Sequence, residues 1–413
     1  MRFKILLIVV CLSVLSCDVD NSNSKLLVLD DDYVNRVDSY EVRIQAIKLQ
    51  ADIFLPDSYD FGRIYENRVF LASIDERLVD IFDLISGKLL KRLKAESPTD
   101  PFSFKRPYRL SIDEINYKTE PILRITDGMT YRTYEYSLEG EFESFYDSGC
   151  YYNDSFVIND STTLLSVYGI NNAHVSTQEH FLGGADFLIT VGGKPFKVIG
   201  QNSIRIEDSG RVFRHRNFFK WGKNIGYFNP FLDEIILLNG EFEISRFKLD
   251  FSHIGEFANL YKDTIVLNRL EYSFERNLIM IEDVSYKDDQ TLLIRYNRNG
   301  RSLYYFHDLV NNECILHTPE ISTSEFPDIN ITTPLLLDDN VFGGTVSYYQ
   351  FHDFLLNAKS RDVDIYTQAI DFTSSIGLDP IEDILDSGDS LYLHNPILFI
   401  TTIAKKEGPS VSS

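Results

Sequence analysis

The sequence is poor in cysteine, methionine and tryptophan, with four, three and one of these residues in 413. Cys11 and Cys17 lie near the N-terminus, so only Cys150 and Cys314 belong to the body of the chain. Two cysteines this far apart provide neither a disulfide framework nor the spacing of a metal site. They are compatible with pairing in an oxidising compartment and with burial as two separate thiols.

Basic residues are also scarce: 40 Lys and Arg stand against 62 Asp and Glu, for a formal net charge of -22. A chain this acidic repels phosphate backbones, which disfavours a nucleic-acid partner. The same charge disfavours peripheral binding to anionic lipid. The sequence also has no Gly-x-Ser-x-Gly elbow and no Cys/His arrangement typical of nucleophilic catalysis.

The N-terminus has the pattern of an export signal. Arg2 and Lys4 precede an uncharged apolar run over residues 5–12, which is too short to span a bilayer. The run ends at Ser16-Cys17, and this stretch resembles the lipobox of bacterial lipoproteins. The resemblance implies cleavage before Cys17 and attachment of a diacylglycerol to its thiol. An ordinary secretory signal and a simple transmembrane anchor are the alternatives.

The rest of the chain favours β-structure. Aromatic residues make up 13% of the sequence, with 24 Tyr and 30 Phe, and such residues are enriched in strands. Short alternating runs separated by Gly or Asn turns recur along the chain, whereas a helical pattern is limited to a turn or two at 379–385. The clearest repeats lie at 68–93, 121–146, 186–199, 225–251, 291–317 and 390–404.

The spacing of these repeats predicts a β-propeller. The turn glycines Gly87, Gly140, Gly193 and Gly240 are 53, 53 and 47 residues apart. A period of this size with about four short strands in each repeat is typical of propeller blades. A pair of β-sandwiches should show a linker near the middle of the chain, and a β-helix should have shorter, more regular coils.

Several phrases resemble the six-bladed β-propeller lipoproteins common in Bacteroidetes, which are TolB-like or NHL-like propellers. They are residues 69–90 with the hairpin around Gly87, residues 245–251, residues 334–344 and the closing His394-Asn395-Pro396 segment. The resemblance spans roughly residues 40 to 404. It implies a fold and a location, and it brings no catalytic residues with it.

We therefore predict an all-β protein with one six-bladed propeller of four-stranded antiparallel blades over residues 40–404. A lipoprotein signal peptide at 1–16 and a lipidated flexible tether at 17–39 precede it, and a disordered tail at 405–413 follows it. The strand at 41–49 is expected to join the C-terminal strand at 398–404 in one blade and so close the ring.

No cofactor or metal site is predicted. The eight histidines are scattered, without the i, i+4 spacing of a helical zinc site, at His174, His180, His215, His253, His307, His317, His352 and His394. The acidic groups at 30–32, 288–289 and 338–340 lack the pattern of a calcium loop, and exposed turns explain them better. Trp221, in an aromatic stretch, suits core packing between blades or an exposed contact with a sugar or a protein.

Two functions from different classes fit this sequence. The first is a non-catalytic binding or scaffold protein of the cell envelope, held through lipid on Cys17 on a membrane that we expect to be the outer one. Its loops would bind a glycan, a peptide or an envelope protein. The second is an extracellular hydrolase or lyase that acts on polysaccharide or lactone at the channel mouth, an idea based on fold-level analogy alone.

Overall fold

The structure is a computed structural model. It describes residues 25–28, 40–56, 59–94, 102–113, 121–130, 132–147, 150, 152, 154–159, 161–167, 185–200, 217–229, 234–250, 280–288, 291–298, 301–308, 313–319, 335–338, 341–361, 367, 374, 378 and 395–405. The predicted signal peptide, Cys17 and the segment at 379–385 lie outside these residues.

The described part of the chain is built from short strands. The first fourteen are β1 (Lys25–Val28), β2 (Tyr40–Lys48), β3 (Phe61–Tyr65), β4 (Arg68–Ser73), β5 (Leu78–Asp83), β6 (Leu89–Lys94), β7 (Pro107–Asp113), β8 (Ile122–Asp127), β9 (Arg132–Tyr136), β10 (Phe142–Asp147), β11 (Asp154–Asn159), β12 (Thr162–Ser166), β13 (Phe187–Val191) and β14 (Lys194–Ile199).

The second half continues in the same way and includes one longer helix. These elements are β15 (Phe218–Trp221), β16 (Asn224–Asn229), β17 (Glu234–Leu238), β18 (Ile244–Asp250), β19 (Met280–Asp288), β20 (Thr291–Arg298), β21 (Arg301–Asp308), β22 (Glu313–Pro319), β23 (Leu335–Asp338), β24 (Val341–Val346), the helix α1 (Tyr348–Arg361) and β25 (Ile397–Lys405).

The described strands form six sheets. In five of them, four consecutive strands pair antiparallel in chain order: β3–β6, β7–β10, β11–β14, β15–β18 and β19–β22, which we call the first to fifth sheets. The closing sheet has the order β2-β25-β24-β23 and is also antiparallel. In addition, β1 pairs parallel with β18 at the outer edge of the fourth sheet.

Most residues of the middle strands of these sheets are buried on both faces, because neighbouring sheets cover both. In β4 and β5, nearly every residue is buried, whereas the outermost strand β6 (LLKRLK) is largely exposed. Side chains of the first and second sheets share one core, exemplified by Phe70 and Ile81 against Leu123 and Tyr134. The third and fourth sheets share another core in the same way.

The first strands of successive sheets lie side by side. β3 is adjacent to β23 and to β7, and β15 is adjacent to β11 and to β19. Arg109 of β7 links to β11 by donating to the carbonyl oxygen of Ser155 at 3.1 Å. Four-stranded meanders packed face to face around an inner row of first strands constitute a β-propeller. The predicted all-β propeller fold is therefore confirmed.

The strand pairing predicted for the two ends of the propeller is also found. β2 pairs antiparallel with β25 from Tyr40↔Lys405 to Lys48↔Ile397. Because β25 is also paired with β24, the N-terminal strand completes a sheet whose other strands come from the C-terminal part of the chain. The closing sheet shares a core with the first sheet, in which Leu398 packs with Val69 and Phe82.

Two of the four turn glycines, Gly87 and Gly140, serve the contact between neighbouring sheets. Gly87 has φ +69°, and a Cβ at this position would lie 2.2 Å from the carbonyl oxygen of Lys48 on β2. Gly140 has φ +83°, and its Cβ would lie 2.9 Å from Lys91 of β6. Each turn thus packs against the outermost strand of the preceding sheet, at a distance that only glycine allows.

One helix was missed by the sequence analysis. In α1, the residues Tyr348, Phe351 and Leu355 are almost fully buried and follow the three- and four-residue spacing of a helical face. The Phe351 ring meets Phe399 of β25 with its centroid at 6.3 Å. The helix connects β24 to β25, and it packs against the closing sheet to which both strands belong.

The N-terminal stretch expected to be a tether also contains structure. Residues 25–28 form β1, which is paired with Phe247–Asp250 of β18. The chain is therefore attached to the fourth sheet before β2 begins. Within the described residues, no helix is both long and apolar enough to cross a membrane.

Closure by β25 leads to a prediction about stability. Deleting residues 396–413 removes the strand that pairs with both β2 and β24, so we expect a sharply lower melting temperature and loss of a single cooperative transition. Deleting only residues 406–413 leaves β25 intact and should leave the melting temperature unchanged. Circular dichroism during heating measures both variants, and equal melting curves would contradict this role of β25.

Candidate functional site

The sheets have two different ends. In each antiparallel meander the first strand begins opposite the end of the second strand, as in Phe61↔Ala72 of the first sheet and Phe218↔Tyr227 of the fourth. We call this end, where the chain also passes from one sheet to the next, the loop end. The opposite end, where the first strand turns into the second, is the hairpin end.

Most of the connecting chain is at the loop end. Its longest connections run over 167–186, 200–217, 251–279, 320–334 and 347–396. At the hairpin end the longest connection between assigned strands is 114–121, and turns such as 66–67, 192–193 and 222–223 consist of two residues. Binding and catalytic residues are concentrated in long loops held by a rigid scaffold. The loop end is therefore the candidate functional site.

Buried polar residues lie at the strand ends where such connections start or finish. We define the polar belt as Asp127, Asp154, Ser166, Asn217 and Asn229, which are at most 2% exposed. Each of them is the last residue of the second strand of its sheet, the first residue of a first strand, or the residue directly before a first strand. Burying a carboxylate or an amide is costly unless hydrogen bonds compensate, so the contacts of the belt show what it does.

Asp127 connects two stretches of the second sheet. Its Oδ2 accepts a hydrogen bond from the backbone N–H of Lys105 at 2.7 Å, just before β7. Its Oδ1 accepts from the N–H of Met129 at 2.7 Å in the β8–β9 turn. The carboxylate thereby holds the turn and the incoming chain side by side.

Asp154 connects three sheets. Its Oδ2 accepts from the backbone N–H groups of Asn217 and Phe218 at 2.7 and 2.8 Å, at the start of β15 in the fourth sheet. The same carboxylate forms an ion pair with Arg109 of the second sheet. Because Asp154 itself begins β11 of the third sheet, one buried charge fixes the relative positions of three first strands.

Other buried acids are likewise held by arginine. Asp80 accepts from Arg92 through both oxygens, at 2.7 and 2.6 Å, and from the Tyr59 hydroxyl at 2.7 Å. Burial, together with the nearby Asp80 charge, holds the pKa of Tyr59 well above its usual value. Arg246 bridges Asp186 and Glu234, which ties the third sheet to the fourth.

These contacts give the buried carboxylates a structural role. The buried carboxylates of Asp80, Asp127, Asp154 and Asp186 all hold backbone N–H groups or arginines. In the part of the chain that the structure describes, no three His, Cys, Asp or Glu residues come together as metal ligands. Through these hydrogen bonds and ion pairs, the polar belt fixes the strand ends from which the long connections start.

The histidines considered as metal ligands are not brought together in the described structure. His307 is buried in β21 of the fifth sheet. His352 lies on α1, with its Nδ1 4.0 Å from Asp353 Oδ1. His317 is on β22. The remaining five lie outside the described residues, at positions 174, 180, 215, 253 and 394.

The two body cysteines lie in different parts of the fold. Cys150 is buried between β10 and β11 in a cluster with Tyr152 and Leu165. Burial raises the pKa of its thiol to about 12, so this cysteine is far from the reactive thiolate state at neutral pH. Cys314 is on β22 of the fifth sheet, in register with His307.

The remaining sequence candidates lie in turns or on a rim. Gly192 and Gly193 have φ +58° and +76° and form the two-residue turn between β13 and β14, as a type I′ hairpin requires. Trp221 is half-buried at the end of β15, and its ring stacks on Phe247 with centroids 5.7 Å apart. It is therefore neither a fully buried core residue nor an isolated surface ring.

Comparison with solved structures supports the fold. A candidate exported protein from Bacteroides fragilis superposes with a TM-score of 0.65 over 93% of this chain and 100% of its own, at 15% sequence identity. The chain shares its fold with that protein. At this identity the similarity concerns the fold alone, and membership of the Bacteroidetes lipoprotein family stays a prediction.

More distant structures reach lower scores. A luciferin-regenerating enzyme has a TM-score of 0.40 at 10% identity, covering 87% of this chain and 95% of its own. An aldose sugar dehydrogenase from Streptomyces coelicolor has a TM-score of 0.38 at 12% identity, covering 88% and 99%. Neither similarity carries an argument about function. No family model matches the sequence, and no curated protein matches it.

The role of Asp154 can be tested by stability. Replacing it with Asn leaves Arg109 buried without its ion-pair partner, which should lower the free energy of unfolding by about 3–5 kcal/mol. Asp75→Asn, at an exposed position in the β4–β5 turn of the same end, is the matched control and should change it little. Denaturant unfolding measures both, and an equally small effect at Asp154 would argue against the scaffold role.

Proposed function

We propose that this chain is a lipid-anchored propeller of the cell envelope that binds a ligand at its loop end without transforming it. The six described sheets are its six blades, and residues 40–404 form the propeller. The observation that carries the proposal is the concentration of long connections at the loop end, above carboxylates already engaged in structural contacts.

The anchor is the second part of the proposal. Cys17 follows a basic and apolar export signal and a small residue, which is the setting in which a cysteine thiol receives a diacylglycerol. The fold shared with a candidate exported protein is compatible with an envelope location. We place the protein on the outer membrane, with a glycan, a peptide or an envelope protein as its ligand.

The anchor is tested by replacing the acceptor thiol. In a bacterial host that processes lipoproteins, the chain should fractionate with membranes, and its mature N-terminal peptide should carry the mass of the lipid on Cys17. Cys17→Ser should abolish both the added mass and the membrane retention, because serine has no thiol to acylate. Cys11→Ser, a change within the removed segment, is the control and should alter neither. Soluble native chain would refute the anchor.

Ligand binding at the loop end is tested by photo-crosslinking in cells. A photoreactive phenylalanine analogue replaces either Met129 or Ile85, which are 62% and 77% exposed. Met129 lies in the β8–β9 turn at the loop end, and Ile85 lies in the β5–β6 turn at the hairpin end. We expect a defined adduct from position 129 and none from position 85.

The opposite pattern would contradict the assignment of the binding face. Turnover of polysaccharide or lactone by the purified chain would instead support the hydrolase or lyase alternative. In that case, some carboxylate substitutions at the loop end should abolish the activity without lowering the melting temperature. Such variants would identify carboxylates that bind substrate and not backbone N–H groups.

A further inference from the structure

The outermost strands of two sheets take up an extra stretch of chain in parallel. In the fourth sheet, β1 pairs with Phe247–Asp250 of β18. In the first sheet, Gln50 forms a parallel bridge at the start of β6. Its N–H donates to the Gly87 carbonyl oxygen at 2.8 Å, and its own carbonyl oxygen accepts from the N–H of Leu89 at 2.8 Å. The outer edges of this propeller therefore accept extended chain.

The second sheet presents an edge of the same kind at β10. The strand order is β10-β9-β8-β7, and among the described residues no strand pairs with the outer side of β10. After a register shift at Glu143, residues 144–147 pair regularly with β9. This stretch is as long as the part of β18 that β1 covers. The third sheet comes near it at Asp147, where a Cβ on Gly193 would lie 3.7 Å from the carbonyl oxygen.

The sequence of β10 guards its edge less than those of other outermost strands. Lysine and proline are the usual residues that discourage the addition of a strand to an exposed edge. β14 (KPFKVI) has Pro195 between two lysines, and β6 (LLKRLK) also has two lysines. β10 (FESFYD) contains neither residue type. Its charged residues are Glu143 and Asp147, and the Asp147 carboxylate lies 3.9 Å from Arg132.

Three exposed phenylalanines lie together beside this edge, and we call them the aromatic shelf. Phe102, Phe142 and Phe145 are 58%, 39% and 36% exposed. The Phe102 ring contacts both of the others, with centroids at 5.8 and 6.4 Å. The register shift places Phe142 and Phe145 opposite Tyr136 and Tyr134, on one face of the sheet. A contiguous exposed apolar patch beside an open strand edge is typical of an interaction surface.

The aromatic shelf is held in place from below. The rings of Phe145 and Phe142 contact those of Tyr134 and Tyr136 with centroids at 5.8 and 5.7 Å. Both tyrosines are buried in the core that the first and second sheets share. The Arg132 guanidinium lies over the Phe145 ring, 5.1 Å from its centroid. Because the rings are already ordered, a partner would lose little affinity to fixing them.

We propose that the outer edge of β10 and the aromatic shelf bind an extended segment of a partner protein, which adds to the second sheet as a fifth strand. Side chains opposite Phe145 on such a strand would have Cβ atoms about 4.5–5.5 Å away, so apolar residues at alternate positions would cover the shelf.

Charge selects the partner. The net charge of -22 makes two copies of this chain repel each other, which disfavours a second copy as the occupant. β10 itself contributes two acids and no base, so the segment should carry Lys or Arg between its apolar residues. This inference depends on neither the lipid anchor nor the ligand of the loop end.

The N-terminal strand of the chain supplies a probe. A synthetic peptide of residues 22–29 (SNSKLLVL) contains a lysine, an apolar run and the segment that pairs in parallel with β18. Added to the full chain, it should slow hydrogen exchange over 142–147, because edge amides become hydrogen-bonded. The same peptide with methylated backbone nitrogens at residues 25–28 should lose this effect, because it cannot pair as a strand. Mass spectrometry of the exchanged chain locates the protection.

Substitutions test the aromatic shelf. Phe102→Ser, at an exposed position outside the strands, should keep the melting temperature and weaken binding of the fluorescent peptide about tenfold, as loss of an aromatic contact does. Phe196→Ser removes a similarly exposed ring from β14 and is the matched control, which should bind like the native chain. Phe145→Lys adds a positive charge to the edge and should abolish the protection over 142–147.

Several outcomes would overturn the proposal. They are unchanged exchange over 142–147 at millimolar peptide, equal protection by the methylated peptide, and equal affinities of Phe102→Ser and Phe196→Ser. Altered exchange over 247–250 alone would show that the peptide replaces β1 and does not bind β10. A dimer of the full chain that Phe102→Ser dissociates would assign the surface to a second copy instead.

Discussion

The structure depends on one constraint: a four-stranded sheet with two apolar faces must have both faces covered. The central strands β4 and β5 are buried almost throughout, and no residue spacing along them leaves a polar face for water. Each sheet can satisfy this requirement only by packing between two others. A row of such sheets would leave two uncovered faces, and closing the row into a ring removes them.

The contacts between neighbouring sheets show how the packing is made specific. Turn glycines bring a hairpin against the outer strand of the preceding sheet, as Gly87 does against Lys48 and Gly140 against Lys91. At the other end, Asp154 joins three sheets through backbone N–H groups and Arg109. Apolar packing supplies most of the stabilisation, and these polar and steric contacts select one relative placement of the sheets.

The two ends of the sheets differ in the length of their connections. Buried carboxylates fix the stems of the long connections at the loop end, so those connections can vary without disturbing the sheets. At the hairpin end most connections are short turns, such as 192–193 and 222–223.

The sequence by itself determined the all-β class, the propeller and the pairing of the N- and C-terminal strands. Those features follow from local alternation and from the spacing of turn glycines, of which Gly87 and Gly140 approach a neighbouring sheet closely. The predicted repeats contained the second to fourth strands of the first two sheets but not β3 or β7. First strands such as β7 (PYRLSID) mix polar and apolar residues. Their side chains are surrounded by residues of neighbouring sheets, so no simple local pattern marks them.

Only the tertiary structure decided which polar residues are buried and where the chain presents its surfaces. Nothing local to Asp154 distinguishes it from the other acids among 62, since the partners that link it to other sheets, from Arg109 to Phe218, are 45 to 64 residues away in sequence. The same holds for Trp221, whose stacking partner is on β18, and for α1, whose three buried residues gain meaning only against β25. Such roles depend on contacts between residues that are far apart in sequence, which residue types and local spacing do not encode.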